Sequence, residues 1–381
     1  MTVTPNTIDA LIVGGGPSGA TVALLLARAG MKTLLVDHSS GQTARIAETL
    51  PPAANALLNR LGFWESFRKQ NYLPSEGITS LWGRGSTHVN DFFLSLAGPG
   101  WNIDRVRFDS WLLEQSEIAG AEISRHTRVL DCNRNTSGTW EARIDRHGTR
   151  SEVCARFLVD ASGRGVKAAL RGLPCSTVMD GLIGVVIFSG EISTPSYTLI
   201  EAVDEGWFYS SGLSDGRFVV VYFTDADIYA RHRNDRHSYV TAQLEKAPET
   251  RDRVGSAPVS GRPRVVSAST IRRERVCGDG WITVGDAALA FDPLSSLGLY
   301  KGLDSADRAH AHAVAAIDGK EGCSTYQVWS DEVFKHYLRN RHRVYSFEQR
   351  WRSLFWSRRQ EGLVGARPAY ASGKQTADYC C

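Results

Sequence analysis

The apolar run Ala10-Leu11-Ile12-Val13 stops at Gly14-Gly15-Gly16-Pro17-Ser18-Gly19, and the chain continues into Ala20–Ala29, a stretch of helix formers. A second apolar run, Lys32–Val36, ends at Asp37, twenty-three residues after Gly14. Strand, glycine turn, helix, strand and acidic residue together make a complete dinucleotide-binding unit, which is far more restrictive than a glycine pattern alone. Gly14 permits the tight turn, Gly16 lets a pyrophosphate approach the backbone, and Gly19 lets the helix pack closely on the strand. The helix N-terminus, opened by Pro17 and Ser18, offers unpaired N–H groups to phosphate. Asp37 can accept both hydroxyls of an adenosine ribose.

With 381 residues the chain exceeds the usual size of a single core, so two closely packed domains are expected. Its hydrophobic runs fall far short of a membrane span, and Met1–Asp9 has neither a basic nor an apolar leader region, so a cytoplasmic location is expected. A net charge of +3 is too mild to imply nucleic acid. The seven scattered cysteines show no metal spacing and no disulfide framework. His88, His126, His232 and His237 lack partners at ligand spacing, so no metal site is expected.

Beyond Asp37 a mobile connection carrying Arg45 and Glu48 runs through Thr43–Leu50 to Pro51-Pro52, which is expected to end any helix before it. Arg105 and Asp109 open a helical pattern; Glu122–Leu130, Trp140–Arg146 and Val153–Val159 read as strands, the last delivering Asp160-Ala161-Ser162-Gly163-Arg164. From Leu182 to Thr224 hairpin-linked β runs predict an antiparallel sheet, in which Trp207 and Tyr209 alternate onto one face. Asp227–Val254 is helix-prone, and Trp281–Val284 leads through Gly285-Asp286 into an Ala-rich helix ending near Ala316. The chain thus divides into a nucleotide-binding domain in three parts (residues 1–80, 101–175 and 271–330), a substrate domain (81–100 and 176–270), and a basic helical segment with a loose tail (331–381). The stretch Lys335–Arg359 holds eight Lys or Arg against one Glu, interleaved with aromatics, as in a basic amphipathic helix. Such a helix either packs on the main body or holds an acidic partner.

Four stretches stand in order: the Gly14–Gly19 turn with Asp37, Arg105-x-x-Phe108-Asp109, Asp160–Arg164, and Gly285-Asp286-Ala287-Ala288 running to Pro293 and Gly298. As a set they resemble the single-component FAD-dependent monooxygenases of the para-hydroxybenzoate hydroxylase and tryptophan halogenase superfamily. The resemblance implies an α/β fold: a Rossmann-type FAD-binding domain with an inserted antiparallel-sheet substrate domain and a helical C-terminal segment. It implies that Gly14, Gly16, Pro17, Ser18, Gly19 and Asp37 hold ADP, and that Arg45 and Arg105 lie near the cofactor. Asp160 and Gly163 belong to a segment shared between FAD and NAD(P)H. Gly285 and Asp286 reach the ribityl chain, and Pro293, Ser296, Gly298 and Leu299 frame the isoalloxazine.

The stretches Phe291–Lys301, Gly206–Tyr209 and Asp215–Asp225 are similar to the flavoproteins that mature tryptophan-derived quinone cofactors of bacterial amine dehydrogenases and amino-acid oxidases. The related halogenases read Gly-Trp-x-Trp-x-Ile-Pro where this chain has Tyr209 and Ser211-Gly212, and their catalytic lysine has no counterpart after Glu48, the nearest later one being Lys69. The resemblance implies hydroxylation of an aromatic ring through a flavin C4a-hydroperoxide, with NAD(P)H as reductant and O2 as co-substrate. The implied target is a tryptophan residue of a protein or peptide, docking in part on the basic C-terminal helix. Glu48 is the candidate catalytic carboxylate, and Trp207 and Tyr209 are candidate substrate contacts. Hydroxylation or halogenation of a small aromatic, and a flavin-binding maturation chaperone without catalysis, are the alternatives.

Overall fold

The computed structural model describes residues 7–39, 48–83, 87–92, 95–164, 170, 173–189, 196–255, 260–320 and 323–361. Arg45 and the tail beyond Glu361 lie outside them. β1 (Ile8–Val13) is followed by α1 (Pro17–Arg28) and β2 (Thr33–Asp37), and later by α2 (Arg105–Ile118) and β3 (Thr149–Asp160). Glu122–Arg125, β2, β1, β3 and Trp281–Thr283 lie side by side, all parallel, in the α/β arrangement of a dinucleotide-binding domain. The central strands are apolar runs buried on both faces, as strands covered by helices must be. Sequence order reverses between β1 and β3, and Val13 pairs with both Val36 and Asp160, so three strand ends open together at the switch point. Ligands of open α/β sheets bind in that crevice.

The inserted sheet has seven strands, with β4 (Gly206–Gly212) near its centre. Its pairings are antiparallel except that Tyr197–Val203 runs parallel to Gly77–Leu81. The sheet therefore takes in chain from Gly77, ahead of the boundary expected at residue 81. Two other local readings differ. His126 adopts φ +56°, which ends Glu122–Arg125 and starts Thr127–Arg134 as a separate antiparallel strand. Pro51-Pro52 does not end a helix but precedes one, Ala53–Arg60, because a helix start has no use for the missing N–H. Before it, Glu48–Leu50 is a strand paired with Gly100–Ile103.

The chain closes with α3 (Gly298–Ile317), α4 (Ser324–Phe347) and α5 (Leu354–Gln360). The basic stretch is thus two helices, broken after Phe347 where the buried Glu348 carboxylate accepts from Gly83 N–H at 2.8 Å and pairs with Arg350 at 2.7 Å. Tyr345, Phe355 and Trp356 are fully buried in the core of the seven-stranded sheet, with Trp82, Trp207 and Phe223. Arg358 and Arg359 both pair with Asp225 at the end of that sheet, at 2.9 and 2.6 Å. Within the basic stretch Arg350, Arg358 and Arg359 are therefore committed to contacts within the chain. Among the described residues no helix is long and apolar enough to cross a membrane.

Burial alone would raise the Asp225 carboxyl, but Arg359 and Arg358 hold it below its ordinary value. Its stabilising contribution is therefore complete above the unfolded-state pKa of about 4 and is lost as pH falls through the depressed folded value. Truncating Arg359→Ala leaves the buried Asp225 carboxylate with Arg358 alone and should cost about 3 kcal/mol, the low end for breaking a buried pair. Urea denaturation at pH 7 measures this; the double change Arg359→Leu with Asp225→Leu should recover most of the loss.

Candidate active site

The crevice at the switch point is built by close backbone approach. Gly14 has φ +113°, and a methyl group there would lie 2.4 Å from the Ala161 carbonyl oxygen. One on Gly19 would lie 2.0 Å from the Gly14 carbonyl oxygen, so α1 reaches the turn only because both residues are glycine. Gly16 precedes Pro17, and α1 starts without a side-chain cap, which leaves its first N–H groups for an anion. Ser18 points the other way: methyl groups on Gly285 and Gly302 would meet its Oγ at 2.2 and 2.8 Å, so this hydroxyl wedges α1 against α3. Asp37 is nearly buried at the end of β2 and lines a cavity of about 350 Å³ with Gly15, Asp109 and Arg125. Asp37 at the wall of this cavity and, beyond the Gly14–Gly16 turn, the uncapped start of α1 are the acceptor and donor groups that the adenosine ribose and pyrophosphate of FAD would need.

At the end of β3, Asp160 is fully buried; its Oδ1 accepts from Ser162 N–H (3.0 Å) and Oγ (2.6 Å), and its Oδ2 pairs with Arg273 at 3.0 Å. Its carboxylate therefore shapes the turn from inside. Gly163 follows in the left-handed region at φ +70°. The turn delivers Arg164, which donates to Asp286 Oδ2 at 3.1 Å and to the Phe291 carbonyl at 2.7 Å. Lys301, one turn into α3, meets Asp286 Oδ1 at 3.2 Å, donates to the Leu289 carbonyl, and stands 4.3 Å from the Phe291 ring centre. Burial would raise the Asp286 carboxyl, but Lys301 and Arg164 hold it below the ordinary range. Each of its oxygens keeps a further acceptor site, which suits a polyol hydroxyl.

The loop that follows is fixed at both ends. Asp292 Oδ1 accepts from Leu294 N–H at 3.0 Å, starting the single turn Pro293–Ser295, while its Oδ2 accepts from Tyr345 Oη at 2.8 Å. Ser296 then takes φ +50°, and α3 opens at Gly298 with no side-chain cap, Leu299 packing into the core. The uncapped N–H groups of α3 form a positive end. Glu48 lies beside it: a methyl group on Gly298 would stand 3.4 Å from its Oε2. Arg105 pairs with Glu48 and with Asp109 (3.0 Å), which fixes the Glu48 carboxylate.

Tyr209 reaches this region from β4. Its hydroxyl lies 3.1 Å from Thr49 Oγ1, which also meets Thr198 Oγ1 at 3.0 Å. Burial pushes the Tyr209 phenol above its ordinary value. Trp207 shares its face of the sheet but is fully buried, stacked on Phe223 at 4.1 Å with its indole N–H donated to Tyr345 Oη. Trp207 thus packs in the core, while Tyr209 stands beside Glu48–Leu50. The sequence does not mark Arg164, Lys301 and Asp292 as site residues. Arg164 closes the Asp160–Arg164 motif, whereas a lysine on a mostly apolar helix face gives no sign that it is buried. Among the described residues no cluster of His, Cys, Asp or Glu could hold a metal ion.

A family model for an FAD binding domain matches residues 7–328. The chain is 33% identical over 363 residues to a protein of Marinomonas mediterranea named as an FAD-dependent oxidoreductase, LodB, covering 92% of this chain and 96% of that one. Among solved structures, the myxobacterial chondrochloren halogenase CndH superposes with a TM-score of 0.85 at 22% identity, over 93% of this chain and 86% of that one. The peptidyl tryptophan dihydroxylase QhpG, essential for tryptophylquinone cofactor biogenesis, superposes with a TM-score of 0.67 at 25% identity, over 93% and 79%.

Among the described residues the Asp37 carboxylate pairs only with its near neighbours Ser39 and His38, so Asp37→Ala should fold normally. Losing a hydrogen-bond acceptor for the ribose, worth roughly 1.5–3 kcal/mol, should raise the FAD dissociation constant about ten- to a hundredfold. Flavin fluorescence titration gives the constant, and an unchanged value would remove Asp37 from the cofactor site.

Proposed function

Because the chain belongs to the FAD binding domain family, we propose that it is a monooxygenase that hydroxylates the indole ring of a tryptophan residue held in a protein or peptide. FAD-dependent oxidoreductase chemistry is common to the family; FAD, when bound, supplies electron transfer and oxygen activation. In the proposed reaction a ring C–H becomes C–OH, the second oxygen atom of O2 leaves as water, and NAD(P)H provides the two electrons. Asp160, Gly163 and Arg164 would form the segment that NAD(P)H visits, and only one dinucleotide-binding unit is needed.

The observation that carries hydroxylation over halogenation is the set of side chains beside the flavin loop. Glu48, Arg105, Thr49 and Tyr209 gather there, and the lysine of the loop, Lys301, is fully engaged by Asp286, the Leu289 carbonyl and Phe291. Lys69, the first lysine after Glu48, is exposed at the end of the helix Trp64–Arg68. In this reading Glu48, half-buried and paired with Arg105, would accept the indole N–H and take up the ring proton that substitution releases. The fold of QhpG, named for peptidyl tryptophan, supports a polypeptide target. The closer superposition on CndH favours a second reading, halogenation of a small aromatic.

Mass spectrometry of tryptophan-containing peptides after incubation with enzyme, FAD and NAD(P)H separates these. Hydroxylation adds about 16 mass units per oxygen and chlorination about 34, the outcomes of the cofactor's own chemistry. Glu48→Gln should lower turnover about a hundredfold while FAD content stays unchanged. Modification of free indoles but not peptides, or increments of about 34 in the presence of chloride, would overturn the proposal.

A further inference from the structure

A groove of about 870 Å³ runs between α4 and the Phe291–Lys301 loop, with Asn90 of the seven-stranded sheet at its edge. Apolar and aromatic groups line it, among them Leu294, Leu297, Trp329, Val333 and Val344. Leu297 is 40% exposed although it immediately precedes α3 and the flavin loop's uncapped helix start. A cleft of this size accommodates a drug-sized ligand and is larger than one indole ring requires.

The charges of the lining decide what kind of ligand. Every carboxylate there is already matched: Asp292 by Arg341 (3.4 Å), Asp304 by Arg60 (3.5 Å) and Arg308 (3.1 Å), and Glu332 by Lys335 (2.8 Å). Lys301 is taken by Asp286, and Arg341 also by Asp180. Arg339 and Arg343 are left over. Both are exposed, and neither forms an ion pair among the described residues. They stand four residues apart on α4, where like charges repel and an anion between them relieves the repulsion.

We propose that this groove receives a polypeptide segment in which an aromatic residue is flanked by carboxylates. The ring enters the apolar floor beside the flavin loop, and Arg339 and Arg343 hold the flanking acids at the rim. The inference rests on the polypeptide-hydroxylation reading and narrows the class of its substrate.

The probes are two fluorescein-labelled pentapeptides with a central tryptophan, one flanked on both sides by aspartate and glutamate, the other by lysine. Fluorescence anisotropy with the FAD-loaded protein at low salt should show the acidic peptide binding about tenfold more tightly, as two rim ion pairs allow. Arg339→Glu combined with Arg343→Glu should reverse the preference without changing FAD content or melting temperature. Val333→Trp, which fills the floor, should weaken both peptides. Equal binding of the two peptides, or an acidic peptide indifferent to the charge reversal, would overturn the assignment. The two levels separate cleanly: a peptide that binds through the arginines but gains no oxygen defeats the hydroxylation reading alone. A peptide that gains oxygen at the same rate in the charge-reversed variant defeats the groove alone.

Discussion

The Asp286 carboxylate is where three distant stretches of this chain are held together. It follows the strand Trp281–Thr283, takes Arg164 from the end of β3 on one oxygen, and takes Lys301 from α3 on the other. Lys301 is buried while Asp286 is only half-buried, so removing the carboxylate would leave a buried cation without its partner. The same two cations also donate to the carbonyls of Leu289 and Phe291, so the cluster sets where the loop after Ala290 begins. Around Asp286 there is one positive charge more than negative; around Arg105, with Glu48 and Asp109, there is one negative charge more. The two clusters flank the opening of α3: Lys301 lies one turn inside it, and Glu48 lies beside its uncapped N–H groups.

Much of the nucleotide half was legible in the sequence because its constraints are local. A turn in which added methyl groups at Gly14 and Gly19 collide with backbone admits only glycine, and such positions leave a readable pattern. The parallel sheet and α3 also follow from apolar periodicity. Less was legible where a residue's role depends on contacts far along the chain. Nothing near Ser18 tells that it fits between Gly285 and Gly302, and nothing near Lys301 tells that it is buried against Asp286. Trp207 and Tyr209 illustrate the limit of strand alternation: they share a face, yet one is locked among Phe223, Trp82 and Tyr345 while the other reaches Thr49.

The C-terminal helices join the two halves. Asp292 at the start of the loop before α3 accepts from Tyr345 and is met by Arg341, both on α4, and Tyr345 in turn accepts from Trp207 in the seven-stranded sheet. The composition of Lys335–Arg359 predicts a basic amphipathic helix that either packs on the main body or holds an acidic partner. In the fold its cations divide by position: Arg341, Arg358 and Arg359 match buried carboxylates, and Arg339 and Arg343 face outward. Charge counted along a sequence does not reveal that division, because it depends on where Asp225 and Asp292 sit.

The central claim is that the Asp286 cluster shapes the flavin end and favours negative charge there. A dye-referenced reductive titration of bound FAD in wild type and in Lys301→Met tests it directly, because methionine keeps the length of the side chain and removes its charge. The midpoint potential should fall by about 30 mV or more, equivalent to about 1.4 kcal/mol for a two-electron couple, and FAD should bind more weakly. Identical potentials and identical FAD affinity in the two proteins would contradict the account.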